Sequence, residues 1–377
     1  YERLGENVYV IRALEARGLV DREIEFLPSD EEIGERRKSE RGLTRPELAV
    51  IMSYAKIDSF NSLVATDAPE DPFFEAELQN YFPANLRRRF KKAVLTHRLR
   101  REIIAMRIAS DMINRMGASF AIRAEEDTGS TAAQVARAYS IACEIFEVRD
   151  LCKTIEARDN QAPASVQYDL LFQISRRLRH AIYWLLRRHP KIDSIDAAIT
   201  RFGSGLSEAR RALLSREHSP EGRREDATQL QRLGVPGRIA EPLAALAAAT
   251  QVLDIIEIGT DCGVSKSQVA AIYFELGQKL RLDWIRNKIE TLQVDGRWPA
   301  TARATLREHL AEQQNNLVRK ILRSRGKKSP RAALADWLAT SRDDIERSRQ
   351  TLKDMESSGI LDFATLSVAL REIERLD

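Results

Sequence analysis

The feature that most constrains the fold is a long, mostly apolar helical pattern at residues 93–120. At 100° per residue its polar side chains fall in one narrow stripe, and apolar side chains cover most of the remaining circumference. The stripe is Arg100, Arg107, Asp111 and Asn114, and the apolar set is Leu99, Ile103, Ile104, Met106, Ile108, Met112, Ile113, Met116 and Phe120. Because other helices surround a helix of this kind, we predict one long helix, broken or bent near Gly117. It should enter a core at about Ile103 and leave its charged start outside.

The composition favours helix throughout the chain. Only 17 of 377 residues are glycine and 12 are proline, while 43% are hydrophobic and 31% are charged, which is ordinary for a globular protein rich in helix. Residues 29–32 and 44–47 each match a helix capping box. Residues 20–27 alternate apolar and charged side chains. We therefore predict an all-α, multi-helix array, with at most one short extended segment near residues 20–27.

The chain divides into three predicted regions. A second long helix spans residues 163–189, and the most hydrophilic stretch, at residues 222–231, is a plausible boundary. We predict a lead-in helix and connector at residues 1–40, a first helical subdomain at residues 41–233 and a second at residues 234–377. The two subdomains are expected to pack together.

The cysteines and histidines give no sign of a disulfide framework or a metal site. Cys143, Cys152 and Cys262 are odd in number and lack ligand spacing, as in proteins of a reducing compartment. None of the five histidines has another ligand at metal-binding spacing on one helical face; they are His97, His180, His189, His218 and His309. With no signal peptide or membrane span in the sequence, we predict a cytoplasmic protein without a metal.

The charges are strongly segregated. Residues 1–83 carry 10 Lys and Arg against 18 Asp and Glu, a balance of −8, whereas residues 84–123 carry 11 against 2, a balance of +9. Adjacent segments of opposite sign predict docking within the chain or between subunits. The predicted contact residues are Arg87, Arg88, Arg89, Lys91, Lys92, Arg98 and Arg101. The alternative is a phosphate-binding surface for nucleic acid.

Two further motifs have structural interpretations. Residues 261–269 match a helix-turn-helix, but the second helix lacks the basic residues of a DNA reader, which favours an ordinary helical hairpin. Gly203-Ser204-Gly205 lacks the preceding strand of a dinucleotide-binding turn. No nucleophile, base and orienting group can be assembled from the sequence. We predict no catalytic and no cofactor-binding residue in this chain.

Several longer strings resemble the large, bacterial-type NAD-specific glutamate dehydrogenases, in the region that follows their catalytic domain. They cover the chain from near its start to about residue 320. The strings are FLPSD (26–30), GLTRPELAVIMSYAKI (42–57), YFP (81–83), HRLRREIIA (97–105), NRMGASF (114–120), ARAYSIACEIF (136–146), IEARDNQAPASVQ (155–167), WLLRR (184–188) and YFELGQKLRLDW (273–284).

The resemblance implies a non-catalytic helical domain of a homo-oligomeric enzyme. That enzyme converts L-glutamate, NAD and water to 2-oxoglutarate, ammonium and NADH. The glycine-rich NAD turn and the catalytic lysine and aspartate of the family have no counterpart here and are expected upstream of Tyr1, so the isolated fragment should be inactive. The implied partner is the upstream catalytic domain, which this domain would support. Two alternatives stay open: a helical nucleic-acid-binding module, and an allosteric domain with an effector site between the helical units.

Overall fold

The computed structural model describes residues 4–158, 163–214, 236–294 and 296–377. Within these ranges all regular secondary structure is helical, which confirms the predicted all-α class. The chain forms two compact units, Tyr1–Arg201 and Phe202–Asp377. The predicted boundary at residues 233/234 and the hydrophilic stretch at residues 222–231 lie outside the described residues, so that boundary stays a prediction.

Twelve α-helices begin in the described part of the first unit. They are α1 (Leu4–Ala16), α2 (Asp30–Lys38), α3 (Arg45–Val64), α4 (Glu75–Tyr81), α5 (Ala84–Arg89), α6 (Lys91–Leu95), α7 (Arg100–Met116), α8 (Phe120–Thr128), α9 (Ala132–Ile145), α10 (Val148–Glu156), α11 (Ala164–Arg188) and α12 (Ile195–Gly203). Two short 3₁₀ segments, Ala68–Glu70 and Pro72–Phe74, precede α4.

Nine α-helices lie in the described part of the second unit. They are α13 (Leu206–Leu214), α14 (Gly237–Ala247), α15 (Ala249–Cys262), α16 (Lys266–Lys279), α17 (Leu282–Thr291), α18 (Arg297–Ser324), α19 (Pro330–Thr340), α20 (Arg342–Ser358) and α21 (Phe363–Glu374). In the described residues no helix is long and apolar enough to cross a membrane.

Capping boxes open α2 and α3, as predicted from the sequence. Ser29 caps α2, where its hydroxyl accepts the N–H of Glu32 at 3.2 Å and the Glu32 carboxylate accepts the Ser29 N–H at 2.8 Å. Thr44 and Glu47 make the same reciprocal pair at the start of α3. Each box satisfies backbone donors that the first turn of a helix leaves without an internal partner.

The central helix is shorter than the pattern at residues 93–120 predicted. α7 begins at Arg100, because the preceding turn is held by local side-chain bonds: the Thr96 hydroxyl donates to Lys92 O at 3.0 Å, and His97 Nδ1 accepts the Leu99 N–H at 3.1 Å. Such bonds compete with helical backbone pairing. The chain breaks again at Gly117, whose φ of 90° is open to glycine and strained for other residues.

From Ile103 onward α7 forms the core of the first unit, as predicted. It packs against α3, α4, α9 and α11. Its buried side chains are Ile103, Ile104, Ala105, Ile108, Ala109, Met112, Ile113 and Met116. Two members of the predicted apolar set are instead in solvent, since Leu99 is 51% exposed and Met106 is 37% exposed. No neighbouring helix covers that edge of α7 within the described residues.

The segment at residues 20–27 is a turn, not an extended strand. The N–H of Glu25 donates to Asp21 O at 3.0 Å, and the N–H of Leu27 donates to Arg22 O at 2.9 Å. The Asp21 carboxylate also accepts the N–H of Glu23 at 2.9 Å. Aspartate bonds of this kind favour turns, so the alternation of side chains that predicted an extended segment was misleading.

The second unit packs α15, α16 and α18 against one another around a core that includes polar side chains. Asn315 Nδ2 donates to Asp254 Oδ1 at 2.7 Å, and both residues are fully buried. Gln314 Nε2 donates to the carbonyl of Tyr273 at 2.8 Å. Buried polar groups need such partners, so these bonds fix how α15 and α16 lie against α18.

Candidate interdomain contact surface

The predicted cationic run forms two short helices on the surface of the first unit. α5 contains no buried residue, and α6 buries only Val94. Both contact α4, which in turn contacts α7. Because α5 has no buried residue and α6 has only one, the residues of these two helices lie on the unit's surface rather than in its core.

Arg101, one of the predicted contact residues, is engaged inside the first unit. Its Nη1 donates to Glu70 Oε1 at 2.5 Å, and its Nη2 donates to the carbonyls of Val64 and Thr66, each at 2.9 Å. Arg100 also pairs with Glu70. The hydrogen bond from Arg101 lowers the pKa of the Glu70 carboxyl, with a further contribution from Arg100. Within the first unit, Glu70 of the acidic segment therefore pairs with two arginines of the basic segment.

The other six predicted contact residues lie on the surface with few internal partners. Arg87 donates to the amide oxygen of Asn80, and the Arg89 guanidinium lies 5.4 Å from the ring centroid of Phe90. The remaining four have no carboxylate partner among the described residues; they are Arg88, Lys91, Lys92 and Arg98. Their positive charge is therefore available to another surface, as the contact hypothesis requires.

Apolar side chains are interspersed with these cations, a feature that the sequence pattern did not reveal. Five large hydrophobic residues between positions 81 and 106 are exposed: Tyr81, Leu86, Phe90, Leu99 and Met106. We call the region formed by residues 81–106 the 81–106 surface. Helical periodicity had placed Leu99 and Met106 in the core, because periodicity reports which residues share a face and not what covers that face.

A charged network that sequence reasoning missed links the helices next to this surface. Glu77 accepts Arg107 Nη2 at 3.0 Å and pairs with Arg149 Nη1 at 2.8 Å. Asp111 accepts the Tyr139 hydroxyl at 2.8 Å and Arg115 Nε at 2.8 Å. Burial raises the pKa of Tyr139 well above its ordinary value, so its hydroxyl remains a donor. The network joins α4, α7, α9 and α10 and therefore helps to hold α4, whose last residue begins the 81–106 surface, against α7.

The histidines and cysteines do not form a metal site in the part of the chain that the structure describes. His97 accepts a backbone N–H and its ring lies 5.5 Å from that of Phe82. The rings of His189 and Trp184 are also 5.5 Å apart. His218 lies outside the described residues. Burial raises the pKa of the Cys143 thiol to about 12 and disfavours its reactive thiolate.

The helix-turn-helix match at residues 261–269 is a packed helical hairpin. Gly263 ends α15 in the left-handed conformation, with a φ of 62°, and the Ser265 hydroxyl caps α16 by accepting the Gln268 N–H at 3.4 Å. Most of α16 is buried, from Val269 to Gly277. A recognition helix must present its side chains to a DNA groove, so this hairpin does not support nucleic-acid binding.

A cleft of about 440 Å³ opens on the second unit between α18, α19 and the end of α21. It is lined by both cations and carboxylates, and the Lys328 and Asp336 side chains that face it pair with each other. Arg375 likewise pairs with Glu372. This cleft lies within the second unit, so it does not test the effector site expected between the helical units.

Comparison with known families identifies the chain. The profile of the family described as "Glutamate dehydrogenase, C-terminal" matches residues 40–375, nearly the whole chain. The chain belongs to this family. The match confirms the resemblance inferred from the sequence strings. It spans the 81–106 surface in the first unit and, in the second, the hairpin and all but the last two residues that line the cleft.

Relatives named NAD-specific glutamate dehydrogenase align with the chain along almost its full length. Those from Halomonas elongata and Pseudomonas aeruginosa are 35% and 36% identical over 96% and 99% of it. The relative from Mycobacterium tuberculosis is 31% identical over 97%. The chain spans about 23% of the length of each of these glutamate dehydrogenases. It therefore corresponds to a C-terminal region of them, and most of each relative lies outside the aligned part.

Proposed function

We propose that the chain is a non-catalytic helical domain of an NAD-dependent glutamate dehydrogenase that oxidises L-glutamate to 2-oxoglutarate and ammonium. Its membership of the C-terminal family and the names of its relatives support this. In this proposal the NAD site and the catalytic residues lie in the remaining part of the enzyme. The fragment alone would be inactive and would bind no cofactor.

The domain's role in this proposal is mechanical. It supports the catalytic part of the enzyme and contributes contacts between subunits of a cytoplasmic homo-oligomer. The observation that carries this role is the set of exposed cations on α5, α6 and the following turn that have no carboxylate partner among the described residues, represented by Arg88 and Lys91. Long-range attraction between opposite charges brings protein surfaces together and selects their orientation.

Charge reversal in the full-length enzyme tests this role. The variant Arg87→Glu/Arg88→Glu/Arg89→Glu should weaken assembly, activity or both. A matched control, Arg331→Glu/Arg342→Glu/Lys353→Glu, changes the net charge equally at exposed positions of the second unit. Oligomer mass and turnover are measured at moderate salt for both. If the first variant keeps the wild-type mass and turnover, the proposed contact role of the arginines is wrong.

A further inference from the structure

We propose that the 81–106 surface is an interface with an apolar centre and a cationic rim, and that it binds an apolar, acid-rimmed surface on the remaining part of the same longer polypeptide. This inference rests on the proposed function for its partner. It goes further because it assigns most of the binding free energy to the apolar side chains. It assigns the relative orientation of the two surfaces to the arginines and lysines.

The first observation is the density of exposed apolar side chains. Among the described residues 14 large hydrophobic side chains are exposed, and five of them lie between positions 81 and 106. Three are Tyr, Phe and Met, which are enriched in the centres of protein interfaces. Single exposed apolar residues are normal, but clusters of them mark binding surfaces. Residues 81–106 are therefore richer in exposed apolar side chains than the rest of the described surface.

The second observation is that these side chains lie on neighbouring elements. The ring of Phe82 lies 5.2 Å from that of Tyr81 and 5.5 Å from that of His97, which links the end of α4 to the turn before α7. α4, α5 and α6 all contact one another. The exposed residues are therefore parts of one region of the first unit.

The third observation is that the base of the region is fixed. Arg101 bonds Glu70 and two backbone carbonyls, and Arg107 bonds Glu77. A surface whose supports are already ordered loses less conformational entropy when it binds. This favours a specific docking site over a loose electrostatic tether.

The charges identify the partner's chemistry. Arg88, Lys91, Lys92 and Arg98 are exposed and lack carboxylate partners within the described residues, so the complementary rim should carry Asp and Glu. The chain spans about 23% of its relatives' length. In the proposed enzyme the remaining polypeptide is covalently attached, so its docking is intramolecular and does not depend on the concentration of a free partner. This favours that polypeptide over a partner that must be recruited from solution.

Thiol labelling in the full-length enzyme tests the inference directly. Leu86→Cys places a thiol on the 81–106 surface, at one of its exposed apolar positions. Val368→Cys is its match on α21, because Leu86 is 46% exposed and Val368 is 47% exposed in this chain. Labelling by a maleimide is followed at each position by peptide mass spectrometry. For each variant, the labelling rate of the enzyme unfolded in urea is divided by the labelling rate of the native enzyme, so that each position serves as its own reference.

We expect the thiol at position 86 to be labelled at least about fiftyfold more slowly in the native enzyme than in the unfolded one, as for a group that reacts only after local opening. The protection should persist in 0.5 M salt, because apolar contacts are not screened, and should survive dilution and nuclease treatment. Only the combination of these results supports the inference.

The other outcomes contradict it in distinguishable ways. Labelling less than about fivefold slower than in the unfolded enzyme means that nothing covers the surface. Protection of the thiol at low salt but not in 0.5 M salt indicates an ionic contact. That result agrees with the contact role proposed for the arginines and contradicts an apolar centre. Protection lost on dilution indicates a second copy, protection lost with nuclease indicates nucleic acid, and protection that requires anionic vesicles indicates a membrane surface.

Discussion

Arg36 and Glu47 form a two-pronged ion pair that ties α2 to the first turn of α3. Arg36 Nη1 donates to Glu47 Oε2 at 2.7 Å, and Nη2 donates to Oε1 at 2.8 Å. The same carboxylate accepts the Thr44 N–H at 2.6 Å. The hydrogen bonds from Arg36 lower the pKa of Glu47 to about 2, and those from Thr44 add to this effect.

Replacing Glu47 should destabilise the first unit. Glu47→Gln removes the charge that Arg36 binds in a partly buried site, and we expect the free energy of unfolding to fall by about 2 kcal/mol. Urea denaturation followed by circular dichroism measures the change. Glu35→Gln on α2 is the control, because Glu35 is exposed and should change stability by less than about 0.5 kcal/mol. Equal losses of stability in the two variants would contradict a stabilising role for the Arg36–Glu47 pair.

The same pair predicts a pH dependence of defined sign. A carboxyl whose pKa is lower in the folded state contributes its full stabilisation above its unfolded pKa and loses it as the pH falls through the folded value. For Glu47 the window runs from about 4.5 down to about 2. The stability difference between wild type and Glu47→Gln should therefore be constant from pH 7 to 5 and shrink by pH 3. A stability difference that grows as the pH falls would show that folding does not lower the pKa of Glu47.

A charge in the core of α7 should unfold the first unit. Met112 is buried among the helices packed on α7, and Met112→Asp would bury an unpaired carboxylate at a cost of more than about 4 kcal/mol. We expect loss of cooperative thermal unfolding and of soluble expression. Asn114→Asp adds the same charge at an exposed position of the same helix and should leave the melting temperature within a few degrees of wild type.

In the second unit the buried pair of Asp254 and Asn315 should be sensitive to truncation. Asn315→Ala removes a donor that lies 2.7 Å from the Asp254 carboxylate, and we expect a loss of about 2–4 kcal/mol. The neighbouring Asn316 is half-buried, and Asn316→Ala is the matched control. Urea unfolding measures the free energy of unfolding of both variants. A structural role for the pair requires that Asn315→Ala lose more stability than Asn316→Ala.

The three thiols should differ sharply in reactivity. Cys143 is buried and its pKa is raised to about 12, and burial also raises the pKa of Cys152. Cys262 is only half-buried. Because the thiolate is the nucleophile, iodoacetamide at pH 8 should alkylate Cys262 first and Cys143 at least about a hundredfold more slowly. Peptide mass spectrometry measures the order, and early modification of Cys143 would show that its surroundings open readily.

The helices and their starts were predictable because their signals are local. The capping boxes at Ser29 and Thr44 and the apolar face from Ile103 onward depend on residues three to four positions apart, which the sequence displays directly. Family membership was predictable for a different reason, since several long strings match the glutamate dehydrogenases. The interruption before Arg100 was missed because it depends on particular side-chain bonds made by Thr96 and His97.

The surface was only partly predictable, because it depends on contacts between distant residues. The cations of residues 87–98 are visible as a charge run, but the engagement of Arg101 by Glu70 joins positions 31 residues apart. The exposure of Leu99 and Met106 likewise depends on which helices lie over α7. Periodicity gives the direction of a side chain, whereas tertiary packing decides whether that direction leads to protein or to solvent.

The absence of any buried residue in α5 has a consequence for the life of the protein in the cell. A helix held by so little packing opens at a lower free-energy cost than the buried helices around it, and it carries three consecutive arginines. A subunit that has not yet docked would therefore offer proteases a ready cleavage site, while a docked subunit would conceal it. In the proposed enzyme, completed assemblies would then outlast orphan chains, and the segment proposed to guide assembly would also set how long an unassembled chain survives.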